Sequence, residues 1–419
     1  MQKTRIGLTV LLVIAVLPVC AQGLVVEDVQ LIDGREDMIF VNVLLADLDA
    51  GDLVGGNTVW DHDGDNVFFI ETQVGFVWNP IDGATPFAIS EDLYFNDARQ
   101  LVYDLGADGT AVGIHVFKLA RTSWPFRFTV FDGIEFLERP AFGYAGSANA
   151  VSDDGTIVAG WVREANGLPT RAVVWNSGAL SFLPSDRPWS DALDTSDDGS
   201  VIVGWTGFSD LQVRPARWVN GVREDLRAVG VASRAQFVSD DGTVVVGLTT
   251  LRQGAQALVH WEGNRRRVFR PPMKLSIVDL FAINADASAA VGSVADVTGN
   301  RAPFVWRLGD GFTVIPELGR DEDYDLSQAV DVSDDGNTVI GTIQNTVVSN
   351  GDPPTTAFVW TPEEGTVAIN DLLADFGIAD PDFFIGIAVS GDGRKIVATG
   401  NPERTNNDAN SLLIRFAPR

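Results

Sequence analysis

A short motif returns through this chain at near-constant spacing, and that repetition limits the possible folds more than any other feature. Clear copies read Ala150-Val-Ser-Asp-Asp-Gly155-Thr-Ile-Val-Ala-Gly160, Asp194-Thr-Ser-Asp-Asp-Gly199-Ser-Val-Ile-Val-Gly204, Phe237-Val-Ser-Asp-Asp-Gly242-Thr-Val-Val-Val-Gly247 and Asp331-Val-Ser-Asp-Asp-Gly336-Asn-Thr-Val-Ile-Gly341. With the aspartate before the turn glycine as marker, further copies fall at Asp63, Asp108, Asp286 and Asp392, and the eight markers lie 43 to 57 residues apart. A second marker, an aromatic residue ending a short apolar run, follows each turn at Trp78, Phe131, Trp175, Trp218, Trp261, Trp306, Trp360 and Phe416. Two markers in constant order at one period indicate a stacked repeat architecture.

Each unit resolves into four short strands, which in the third are 148–152, 156–162, 171–175 and 180–183. The Asp-Asp-Gly link suits a tight hairpin whose glycine takes a positive φ. The following strand is apolar at consecutive positions, as in Val201-Ile-Val-Gly-Trp205, which calls for burial on both faces. The glycine within that run is expected where the neighbouring sheet's backbone comes close. Four-stranded antiparallel units of this length, stacked through both faces, describe an all-β β-propeller. Eight blades are expected, near 55–96, 97–142, 143–188, 189–230, 231–275, 276–325, 326–385 and 386–419, or seven if the degenerate first unit is no blade. The last unit has three strands, so one of the two runs in 22–54, Leu24 to Leu31 or Met38 to Leu45, is expected to complete it and close the ring. An open β-solenoid and a pair of sandwich domains are the rival architectures.

The formal net charge of −27 argues against nucleic acid as a partner, because a polyanion needs a basic face. Lys3 and Arg5 precede an apolar run, Ile6 to Val19, too short to span a bilayer, and Val19-Cys-Ala21 fits a cleavage site. Residues 1–21 therefore read as a secretory signal cleaved after Ala21, with lipid attachment at Cys20 as the rival, and the protein as extracellular or periplasmic. Cys20 is the single cysteine, so the mature chain is expected to have no disulfide, thiolate metal site or cysteine nucleophile. No later segment approaches the roughly 20 apolar residues of a membrane helix.

The Ser-Asp-Asp-Gly-x-x-Val-x-Gly core, the third strand Ala357-Phe-Val-Trp360 and the segment Ile369-Asn-Asp-Leu-Leu373 resemble bacterial extracellular HAF-repeat proteins over about residues 55–419. The resemblance implies an exported, repeat-built protein and specifies no chemistry. Other third strands depart from it, reading Ala172-Val-Val-Trp175 and Ala257-Leu-Val-His-Trp261.

Residues suited to catalysis are few. His62, His115 and His260 are the only histidines and sit at unlike positions, so a histidine triad or zinc centre lacks material. For a metal, Asp61, Asp63 and Asp65 alternate on a tight turn and could converge on Ca²⁺. The twelfth position of that loop is Thr72, where an EF-hand needs glutamate. Asp321-Glu-Asp-Tyr-Asp325 is a second acidic loop, and Arg265-Arg-Arg267 with Arg270 is the one basic cluster. The repeated aspartates read as turn formers rather than a carboxylate ring, and the periodic tryptophans as blade core. The expected function is a non-enzymatic, monomeric binding scaffold for a protein or glycan ligand, with no cofactor beyond the possible Ca²⁺. Two alternatives stand beside it. One is a propeller polysaccharide hydrolase or lyase using two carboxylates near the central channel; the other is a calcium-stabilised structural or adhesion protein.

Overall fold

The computed structural model describes residues 24–32, 38–47, 52–60, 72–81, 83–87, 98–117, 121–140, 145–209, 212–316, 318, 327–344, 355–374, 382–401 and 410–417. The predicted signal 1–21 and the loop holding Asp61, Asp63 and Asp65 lie outside these residues, as does the acidic loop at Asp321. Among the described residues the strands group into eight four-stranded antiparallel units in chain order. The third unit pairs Ala145–Val151, Ile157–Arg163, Arg171–Asn176 and Ala179–Phe182 in sequence. First strands of successive units contact one another, whereas fourth strands such as Val222–Asp225 and Arg265–Phe269 are largely exposed. The first strand of each unit is therefore innermost, and the fold is a β-propeller.

Burial follows the apolar runs. Val201–Gly207, the second strand of the fourth blade, is buried at every position, as consecutive apolar residues between two stacked sheets require. Core clusters bridge adjacent blades: Val201 and Val203 of the fourth pack with Ala235, Val238 and Trp261 of the fifth. Trp175, Trp218 and Trp306 are almost inaccessible. The Trp218 indole N–H donates to Pro184 O at 2.8 Å, Trp175 to Glu138 O at 2.7 Å and Trp261 to Arg227 O at 3.0 Å. Trp175, Trp218 and Trp261 thus fill their blades and tie down the connection that enters each, which satisfies the one polar atom the ring buries. In the second blade the marker is Phe128 rather than Phe131. Phe128 is 2% exposed, while Phe131 stands 93% exposed in the turn beyond the strand.

The glycine of the second strand faces a different neighbour from the one expected. A Cβ at Gly160 would lie 2.0 Å from Ser147 O, and one at Gly204 2.0 Å from Asp191 O. Those carbonyls belong to the blade's own innermost strand, not to the next blade. There the pairing shifts register around one extra residue, between Ala148 and Ala150 and between Ala192 and Asp194. A β-bulge in the inner strand presses its backbone on the second strand, and glycine makes room.

The Ser-Asp-Asp-Gly hairpin divides its labour. Gly155 takes φ +67°, a conformation costly for other residues. Ser152 Oγ donates to Asp154 Oδ1 at 2.8 Å, and Asp154 Oδ1 accepts from Thr156 N at 3.0 Å. The same closure recurs at Asp198, Asp241, Asp335 and Asp392. The Thr156 backbone N–H, then the hydroxyls of Thr156 and Ser152, hold the Asp154 carboxyl below its usual range. The second aspartate of each pair is a turn fastener.

The chain's two ends meet in one sheet. Val26–Ile32 pairs antiparallel with Asn410–Phe416 and supplies the eighth blade's outermost strand. Met38–Asp47, the other N-terminal run, pairs with Leu53–Trp60 and opens the first blade. Val54, Phe76 and Trp78 share a cluster with Ile32, Val397 and Leu413, packing the first blade on the last. Asp52 crosses this seam to Lys395 and Arg415, both at 2.9 Å. The segment Ile369–Leu373 forms a single helical turn, with Ile369 and Leu373 buried against the eighth blade. No helix among the described residues is long and apolar enough to cross a membrane.

Candidate active site in the axial channel

The innermost strands and the hairpins that end them surround the propeller axis. The hairpins are hydrogen-bonded to one another in sequence. Asp108 N donates to Asp153 O, Asp153 N to Asp197 O, Asp197 N to Asp240 O and Asp240 N to Ala285 O. Asn284 Nδ2 continues the chain to Asp334 O, and Asp334 N to Gly391 O. This girdle brings the first aspartate of each pair, Asp153, Asp197, Asp240 and Asp334, around one mouth of the channel. All four are exposed. Loss of solvation, then the charges of Asp197, Asp334 and Asp153, push the Asp240 carboxyl up to about 7. The motif is both a hairpin and a carboxylate ring: the second aspartate closes the turn and the first faces its counterparts.

Two residues before the turn serine or its equivalent, three blades carry a further aspartate. Asp104 accepts from Val151 N at 2.7 Å, Asp194 from Val238 N at 2.8 Å and Asp331 from Val389 N at 2.8 Å. Each carboxyl clasps the backbone of the next blade. Burial pushes Asp194 up to about 8, with the charges of Asp104 and Asp240 adding to the rise and the Val238 bond opposing it. A carboxyl whose folded-state pKa lies above its unfolded value holds its proton more tightly in the folded chain. Its contribution is fully present below the unfolded value near 3.8 and is lost as pH rises through about 8. The urea midpoint is expected to be higher at about pH 5.5 than at about pH 8.5, and Asp194→Asn should shrink that difference. An unchanged difference in Asp194→Asn would assign the pH dependence to other groups.

Nearer the other end of the channel, position five before the turn serine or its equivalent reads Asp191, Arg234 and Asp279 in the fourth, fifth and sixth blades. Asp191 accepts from Asn149 Nδ2 of the third blade at 3.2 Å, and that amide also reaches Ala192 O at 2.7 Å. Burial drives the Asp191 carboxyl up to about 8, against the opposing pull of Arg234. It therefore holds its proton at neutral pH. Arg234 is exposed, and its guanidinium lies 5.5 Å from the Trp205 ring centre. Asp279 pairs with Arg301 at 3.0 Å. Trp205 is the cross-strand neighbour of Asp191, and Trp161 that of Ser147, the equivalent residue one blade earlier.

Such a wall sets a proton-bearing carboxyl and an arginine-held carboxylate on either side of a cation, beside aromatic rings. It can donate a proton to a leaving oxygen and accept one elsewhere. Reading the motif alone passes over Asp191, Arg234 and Asp279, because they precede it. The signal lies in comparing that one position across blades, where Leu101, Ser147 and Gln328 stand in the second, third and seventh.

The other sequence candidates lie elsewhere. His115 and His260 are buried, and loss of solvation takes His115 down to about 4. His62 lies outside the described residues. Arg265, Arg266 and Arg267 are exposed on an outer strand. Among the described residues no group of three acidic, histidine or cysteine side chains is placed to hold a metal ion.

No protein-family model and no curated protein matches the sequence. Solved structures do. A prolyl endopeptidase is similar over 79% of this chain and 50% of its own, with a TM-score of 0.57 and 10% identity. Prolyl oligopeptidase B from Galerina marginata is similar over 79% and 50%, with a TM-score of 0.52 and 11% identity. The β-propeller domain of the Trilobed protease from Pyrococcus furiosus, described as having an open velcro topology, is similar over 80% and 96%, with a TM-score of 0.50 and 10% identity. The chain spans about half the length of the two prolyl peptidases. These likenesses establish the β-propeller fold. They also run against the expectation of a non-enzymatic scaffold for a protein or glycan ligand, since these three similar structures are peptidases or a domain of one.

Proposed function

We propose that the chain is a propeller-fold hydrolase or lyase acting on polysaccharide through carboxyl groups of the axial channel. The observation that supports this most is Asp191, a carboxyl on the channel wall that keeps its proton up to about pH 8. Perturbed acidity in a cleft marks acid–base chemistry. Asp191 donates its proton to the bridging oxygen as the bond to the leaving sugar breaks. Asp279, held by Arg301, takes the proton released on the other side, from water in hydrolysis or from carbon in elimination. Asn149 orients Asp191, and the half-buried Trp161 offers a face on which a sugar ring stacks. The basic, apolar N-terminal run and the HAF-like repeat support export, where such polymers are met. The test is release of reducing ends or unsaturated products from a polysaccharide panel by the purified chain. Products from wild type and none from Asp191→Asn support the reading, and an inactive wild type sinks it.

A second reading, the propeller portion of a peptidase, is favoured by the half-length likeness to prolyl peptidases. The two histidines among the described residues are buried in blades, so a serine–histidine pair would come from elsewhere. Peptide cleavage by the chain that survives Asp191→Asn would favour this second reading.

A further inference from the structure

We infer that Ser147 is a positioning residue for Asp191: acting through Asn149, it fixes which of the two carboxyl oxygens carries the proton. This role rests on the acid chemistry proposed for Asp191 and adds the group that aims it. A run of hydrogen bonds crosses from one blade to the next along the channel wall. Ser147 Oγ donates to Asn149 Oδ1 at 2.7 Å. Asn149 Nδ2 in turn donates to Ala192 O at 2.7 Å and to Asp191 Oδ1 at 3.2 Å. Ser147 and Asn149 lie on the innermost strand of the third blade, Asp191 and Ala192 on that of the fourth.

The chemistry of the partners leaves one arrangement. Ala192 O is a backbone carbonyl and can only accept, so the end of the Asn149 side chain facing it is the amide nitrogen. The amide oxygen therefore faces Ser147, whose hydroxyl must donate. With one N–H of Nδ2 on Ala192 O, the other is left for Asp191 Oδ1. The carbonyl oxygen of a protonated carboxyl is its better acceptor, so Oδ1 takes this bond and the acidic proton falls to Oδ2. Ser147 is 2% exposed, so water does not replace its hydroxyl, and without it the amide is free to turn. At the Ser147 and Asn149 positions the second blade carries Leu101 and Tyr103, the sixth Asp279 and Phe281, and the seventh Gln328 and Val330. Those blades build the same bulged strand without the hydroxyl–amide pair, so packing alone does not call for it.

The experiment follows the Asp191 carboxyl itself, by carbon NMR of protein labelled at the aspartate carboxyls, with Asp191→Asn identifying its signal. Wild type, Ser147→Ala, Asn149→Ala and the double variant are titrated, and the urea midpoint of each checks the fold. An N–H donated to a carboxyl favours its charged form, so losing the Asn149 bond raises the titration midpoint. The midpoint should rise by about one pH unit in Ser147→Ala, as far in Asn149→Ala, and no further in the double variant. An unmoved midpoint in Ser147→Ala, or effects of the two substitutions that add, overturns the inference. Neither result depends on turnover. On a polysaccharide that wild type cleaves, Ser147→Ala should lower kcat about 10-fold with little change in KM, and the basic limb of its pH–rate profile should rise with the midpoint. A raised midpoint in a chain without turnover keeps the relay and defeats the proposed chemistry. Turnover with an unmoved midpoint defeats the relay alone.

Discussion

Asp191→Asn is expected to lower kcat by about 10²- to 10⁴-fold, the span that a positioned proton donor contributes. The asparagine keeps the size and accepts the same bond from Asn149, so the fold and oligosaccharide binding should persist while proton donation is lost. Wild-type turnover should be full below about pH 8 and fall as pH rises through it, because the acid must be protonated to act. A pH–rate profile on the wild type checks this limb. A basic limb well below 7, or a variant that keeps wild-type kcat, would remove Asp191 from the role of acid.

The second large effect concerns stability. Trp218→Ala should cost about 3–5 kcal/mol, the range for a buried aromatic truncated to alanine. The side chain is fully enclosed, its contacts reach Ala192 and Ile202 of its own blade and Ala159 and Ala172 of the third, and its N–H tethers Pro184. Phe131→Ala is the matched control: at 93% exposure it should change stability by no more than about 0.5 kcal/mol. Urea denaturation of the two variants measures both. Comparable losses would mean that the aromatic marker of the second blade had been misplaced at Phe128.

The contrast between those two residues shows how the fold was legible. The period, the turn glycine and the consecutive apolar strand are each enforced by local sterics or by burial between sheets, so they repeat in the sequence as they repeat in space. Phe131 misleads because the second unit holds aromatic residues on both sides of the strand's end, Phe128 and Phe131. Spacing alone does not say which one turns inward. The glycine of the second strand was legible as a close approach, but not its partner: the bulge that crowds Gly160 or Gly204 adds one residue to the inner strand and alters no residue type in a regular way. The axial site was the least legible part. Asp240 and Asp241 are identical neighbours in the sequence and differ only in direction. One fastens the hairpin, and the other meets carboxylates from blades whose equivalent residues lie 43 or 94 positions away, at Asp197 and Asp334. Asp191, Arg234 and Asp279 are set by what differs between repeats, and a search for what recurs averages them out.

The strand Val26–Ile32 also bears on assembly. It belongs to the last blade through hydrogen bonds and packing, while its covalent tie leads to the first. The edge it covers, Asn410–Phe416, accepts any strand with that apolar pattern, including the same segment from a second copy. An exchange of this kind rebuilds every contact of the eighth blade, once the ladder between Val26–Ile32 and Asn410–Phe416 and the Arg415–Asp28 ion pair have opened. Slow, concentration-dependent dimers should therefore form under conditions that weaken ion pairs, such as high salt, and should revert on dilution. Cross-linking Val26 to Phe416 through paired cysteines would suppress them, because these residues face each other in register.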